Sequence, residues 1–147
     1  SEAQKREVFE DGGWPALRIL ALAAVGLASL QLLLGAILRH TGAGLSWHLA
    51  TAALLSVVVG WLVLRLRGGP RPLRESAQRL LILLTVQVGL GMLTWWRGDP
   101  AGVATLHVGV GALFLAQSVV LAWRSVRMTL SIYRSAPAVL ASERLLS

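Results

Sequence analysis

Twenty consecutive residues, Ile19 to Leu38, carry no charged side chain. At 1.5 Å per residue a helix of that length is about 30 Å long, one hydrocarbon thickness of a bilayer. Three more such runs follow. His40 to Leu64 is uncharged, and its part from about Trp47 makes a second span. Leu80 to Trp96 makes a third, bounded by Trp95 and Trp96, a residue type that favours the membrane interface. Asp99-Pro100 reads as an N-cap with proline at the first helical position, and starts a fourth span that ends near Trp123. The predicted fold class is all-α: an integral membrane, up-down four-helix bundle.

Composition agrees with a membrane chain. Charged residues make up 14% and hydrophobic residues 55%, with a mean hydropathy of +0.66, whereas about a quarter of an ordinary soluble domain is charged. The formal charge of +7 does not argue for nucleic acid as a partner. The arginines lie between apolar blocks and no aromatic-studded basic face accompanies them. The expected surroundings are membrane lipid. Cysteine is absent, which removes disulfides, thiolate metal sites and iron–sulfur clusters. No cleavable signal pattern precedes the first apolar run.

The rest of the chain divides around the spans. Residues 1–14 form a polar lead-in, 15–124 the bundle and 125–147 a tail too short in apolar residues to cross again. RLRGGPRPLRES, after the second span, reads as a basic loop outside the lipid. Lys5, Arg6, Arg18, Arg65, Arg67, Arg71, Arg74, Arg79, Arg124, Arg127, Arg134 and Arg144 fall on one side of such a bundle, and only Arg39 and Arg97 on the other. Twelve against two predicts both termini in the cytoplasm. The expected location is the cytoplasmic (inner) membrane, with His40, His48 and His107 toward the outer face.

The corners on that outer side repeat. QLLLGAILRHTGAGLSWH, from Gln31 to His48, is matched loosely by QVGLGMLTWWRGDPAGVATLH, from Gln87 to His107. Each has Gln, then Gly four residues on (Gly35, Gly91), an arginine, a turn and a histidine that opens an apolar run. The bundle is therefore one helical hairpin used twice. His48 precedes Arg65 by seventeen residues and His107 precedes Arg124 by seventeen, so both imidazoles lie at one depth.

Two histidines at one height on facing helices can provide both axial ligands of a haem. In that reading His48 and His107 are the metal ligands. Ala52 and Gly111, one turn after each histidine, and Gly35 and Gly91 on the other helices leave room for a flat ring. Arg39 and Arg97 stand where haem carboxylates would emerge, and Gln31 and Gln87 can hydrogen-bond within the bundle. Other readings of the same residues stay open. Intramembrane histidines and glutamines can join neighbouring helices, small residues can serve close packing, and the arginines can anchor the interface by snorkelling. His40, in the turn, is expected to face solvent, and the tryptophans to sit at interfaces. No acidic residue lies inside a span, which leaves no donors for a zinc or iron carboxylate site and no buried acid for a proton relay.

GAILRHTGAGLSWH and ATLHVGVGAL resemble the haem A synthase family of membrane haem proteins, over roughly residues 17 to 128. That family has two fused four-helix halves, each with a histidine at the outer start of its second and fourth helix as axial haem ligand. His48 and His107 match these positions. The catalytic half carries a glutamate three residues before its first ligand histidine, and often a cysteine pair in the outer loop. Here Leu45 occupies the glutamate position, cysteine is absent and the loop is short. The resemblance therefore implies the cofactor half with a bound haem b, or a half-size relative, and a part in haem A formation or cytochrome oxidase assembly, with a haem A synthase-like oxidoreductase left open by Leu45 at the glutamate position. With both axial positions filled, the expected chemistry is one-electron transfer. A non-catalytic b-type cytochrome subunit of a respiratory complex, and a structural four-helix subunit without cofactor, are the alternatives. A second copy of the chain or respiratory-complex subunits are the compatible protein partners.

Overall fold

The computed structural model describes residues 16–97 and 101–145, without the side chains of 97 and 129–145. These form four α-helices: α1 (Leu17–Thr41), α2 (Leu45–Arg65), α3 (Arg71–Arg97) and α4 (Gly102–Leu145). Each contains a segment long and apolar enough to cross a membrane, the four having mean hydropathies of 1.4 to 2.2. The polar lead-in and the Asp99-Pro100 helix start lie outside the described residues.

The helices run alternately up and down in a ring. α1 packs on α2 and α4, α3 packs on α4, and the α2–α3 seam is the sparsest. The backbones of α1 and α3 do not approach each other, nor do those of α2 and α4, so these pairs are the diagonals. The internal repeat extends to burial. Leu17, Leu20, Ala21 and Ala24 are buried in α1, and so are Leu73, Ser76, Ala77 and Leu80, each 56 positions later in α3. Leu55, Val59, Leu62 and Leu66 are buried, as are Phe114, Ser118, Leu121 and Ser125, each 59 positions later. The two offsets differ by three, the extra length of the second corner. Because both hairpins point the same way, the pseudo-twofold axis relating them runs along the bundle.

Most of these buried residues lie toward the end that carries Arg18, Arg65, Arg74 and Arg124. There the buried polar side chains among the described residues are hydrogen-bonded. Arg124 Nη1 donates to the Pro72 carbonyl at 3.0 Å and to Ser76 Oγ at 2.7 Å, tying α4 to the first turns of α3. The buried Ser76, Ser118 and Ser125 hydroxyls donate to main-chain carbonyls on their own helices at 3.0, 2.8 and 2.7 Å. Toward the histidine end full burial is rare, Ala104 and Gly111 being among the few buried positions.

Two boundaries differ from the sequence expectation. The basic connection is shorter than RLRGGPRPLRES, because α3 begins at Arg71. Pro72 in a first turn forfeits no intrahelical hydrogen bond. Glu75 accepts from Arg71 Nε at 2.7 Å and pairs with Arg79 at 3.6 Å, a ladder of i,i+4 contacts that favours helix. At the other end α4 does not stop near Trp123. Its 44 residues are continuous to Leu145, about 66 Å at helical rise and about twice a hydrocarbon thickness.

Candidate functional site

The first corner shows how the chain delivers a histidine. α1 ends at Thr41, and Gly42 (φ 69°) and Gly44 (φ 88°) both adopt left-handed backbone, which a Cβ would strain. Gly42 N–H caps the Leu38 carbonyl at 2.9 Å. Thr41 Oγ1 accepts from Ala43 N–H at 3.1 Å and donates to the Ile37 carbonyl at 2.8 Å. The turn needs only three residues, and His48 lies in the first turn of α2, its N–H bonded to the Gly44 carbonyl at 3.0 Å.

Each imidazole then lies against a glycine of its own hairpin. A Cβ on Gly35 would stand 3.4 Å from Cε1 and 3.8 Å from Nδ1 of His48; on Gly91 the same atoms of His107 would be 3.3 and 3.8 Å away. The two contacts are copies of one another. Nε2 of neither ring comes within 4 Å of those positions, so in each ring Nδ1 is the nitrogen turned to its own hairpin. Across the bundle axis the His48 and His107 rings have centroids 6.5 Å apart and planes inclined at 61°, although α2 and α4 are diagonal.

One turn below the rings, in the same antiparallel register, the glutamines meet the small residues. Thr51 Oγ1 donates to Gln31 Oε1 at 2.5 Å, joining α1 to α2. The Gln87 side chain instead crosses to α4, where a Cβ on Gly111 would lie 2.8 Å from its Nε2 and 3.0 Å from Leu32 Cδ2. The space at Gly35, Gly91 and Gly111 is thus used by the protein's own side chains. The sequence pattern alone assigns that space to a flat ring. Ala52 occupies the position equivalent to Gly111.

Three buried side-chain atoms among the described residues have no hydrogen-bond partner: His48 Nδ1, His107 Nδ1 and Gln87 Oε1. All three lie in this layer. Buried polar atoms left unpaired cost on the order of 1–3 kcal/mol each, which sets this layer apart from the opposite end, where the buried serines are paired. What the layer offers chemically is two imidazoles facing each other across the axis and one amide.

Of the other candidates, Arg39 and His40 lie in the last turn of α1 at the same end, both exposed. The Arg97 side chain lies outside the described residues. Trp47, Trp61, Trp95, Trp96 and Trp123 are all exposed on the bundle's outer surface, while Trp14 falls outside the described residues. The sequence reading missed Thr51 as the partner of Gln31, and Leu32 as a neighbour of Gly111. Counting antiparallel register from Gly35 opposite His48 places Gln31 opposite Ala52, beside Thr51, and would have found the first.

Compared with family models, curated proteins and solved structures, the chain matches none.

Proposed function

We propose that this four-helix membrane protein binds one haem, haem b, between His48 and His107. The observation that supports this most is the meeting of two imidazoles across the bundle axis, their ring centroids 6.5 Å apart. The donor set fits the group. A metal–imidazole bond is about 2 Å long and the ring centre lies about 1 Å farther back, so two imidazoles on one ion stand roughly 6 Å apart; the rings here are 6.5 Å apart.

Each residue has a definable part. His48 and His107 would hold the iron, and in each ring Nε2 is the nitrogen not turned to the glycine helix. Gly35 and Gly91 let each ring sit close against a neighbouring helix, which limits its rotation. The Thr51–Gln31 hydrogen bond pins the first hairpin at the level just below. Arg39 and Arg97, at the histidine end, supply guanidinium groups for the carboxylates of the bound group. Haem with two imidazole ligands supplies one-electron transfer.

The arginine distribution supports both termini in the cytoplasm and the histidine layer toward the outer face of the inner membrane. The resemblance to the cofactor half of haem A synthases supports a part in haem A formation, as an electron-transfer domain. Leu45 at the glutamate position favours holding the cofactor over modifying it. Pyridine haemochrome analysis of the purified protein tests the reading: one protohaem per chain is expected, and a chain purified and reconstituted without any haem would contradict it.

A further inference from the structure

Equivalent arginines end the second and fourth spans, and the two hairpins use them differently. Arg124 is tied inward, to the Pro72 carbonyl and to Ser76 Oγ of α3. Its copy in the first hairpin is Arg65, and the residue that stands for Ser76 there is Leu20, which has no hydroxyl to accept. Arg65 lines a groove of about 490 Å³ on the outer face of α2, together with Val57, Gly60, Trp61 and Leu64. Val57, Trp61 and Leu64 are exposed, and a Cβ on Gly60 would meet nothing within 4 Å, so the glycine makes the groove's floor. The second hairpin has Val119 in place of Gly60. Its own groove, between α1 and α4, is lined by Leu22, Val25, Val119, Ala122, Trp123 and Val126, without a charge.

We propose that the α2 groove seats one anionic diacyl phospholipid, with an acyl chain over Gly60 and the phosphate at Arg65 and Arg67. In a bilayer lipid covers this face, and the chemistry at the groove's mouth decides which lipid it is. A guanidinium pairs a phosphate through two hydrogen bonds, and basic residues at the end of a span draw anionic headgroups. Arg67, exposed two residues beyond Arg65, adds a second positive charge. The carboxylate of that corner, Glu75, is engaged by Arg71 and Arg79. The groove between α1 and α4 can take an acyl chain and has no guanidinium in its lining to choose the headgroup.

Native mass spectrometry of the full chain, released from nanodiscs of equal parts palmitoyl-oleoyl phosphatidylglycerol and phosphatidylcholine, reports which lipid stays bound. The two lipids share their acyl chains and differ in headgroup charge. One retained phosphatidylglycerol per chain is expected, favoured over phosphatidylcholine by about fivefold, the ratio that one guanidinium near an anionic headgroup sustains. Arg65→Gln is expected to abolish the preference. Gly60→Val, which puts the second hairpin's residue on the groove floor, is expected to lower phosphatidylglycerol retention, so each variant covers for misfolding of the other. Arg18→Gln removes the same charge from an exposed position at the same end, outside the groove, and should leave the preference intact. Equal retention of both lipids by the wild type, retention and preference that survive both groove substitutions, or an equal loss in Arg18→Gln overturns the site.

Discussion

The imidazoles of His48 and His107 stand 6.5 Å apart at the bundle axis, although the helices that carry them occupy a diagonal and do not pack on each other. Side chains alone bridge the interior there, and each ring is backed by a glycine of its own hairpin.

That backing predicts the effect of enlarging the glycines. A leucine at Gly35 or Gly91 extends into the volume of the imidazole, since even a Cβ would approach it to 3.4 or 3.3 Å. Gly35→Leu or Gly91→Leu is expected to lower haem occupancy at least tenfold while helix content, measured by circular dichroism, stays unchanged. Full occupancy in both variants would show that the rings do not depend on this contact.

Gly111 and Gln87 should be energetically coupled. Gly→Ala in a helix interior gains about 1 kcal/mol of helix propensity, but here the added methyl meets the Gln87 amide at 2.8 Å. In a double-mutant cycle followed by unfolding in mixed micelles, Gly111→Ala is expected to be more favourable in the Gln87→Ala protein than in the wild type, its gain limited to about 1 kcal/mol because Leu32 still stands 3.0 Å from the added methyl. Additive effects would mean that the amide does not occupy that space.

At the opposite end, Arg124 holds two acceptors on α3. Arg124→Ala is expected to destabilise the bundle by about 1–3 kcal/mol, the range for losing hydrogen bonds from a charged donor. The haem spectrum should be unchanged, because His107 lies seventeen residues away along α4, about 25 Å at helical rise.

Topology can be read with single cysteines, since the chain has none of its own. Ala43→Cys, in the first corner, is expected to react with an impermeant thiol reagent added to spheroplasts. Gly68→Cys, between α2 and α3, should react only after the membrane is opened. The reverse pattern would invert the proposed orientation.

Much of this architecture is legible in the residues. Uncharged runs of membrane-spanning length mark the four helices, and the equal spacing from His48 to Arg65 and from His107 to Arg124 marks two side chains at one height. The start of α3 was hidden because Arg71 to Ser76 is basic and proline-containing, which hides the Arg71–Glu75–Arg79 ladder. The end of α4 was hidden because hydropathy reports where lipid stops, and a helix can continue beyond it. The uses of Gly35, Gly91 and Gly111 depend on register between helices. A glycine in the sequence says that space exists, and only the packed structure says that an imidazole or an amide has taken it.

The account turns on two named ligands, and the Soret and α/β bands of the purified protein test them most directly. The wild type is expected to show a six-coordinate, low-spin haem spectrum, and His48→Ala and His107→Ala are each expected to abolish it or convert it to high spin. A low-spin spectrum unchanged in both variants would contradict the clamp.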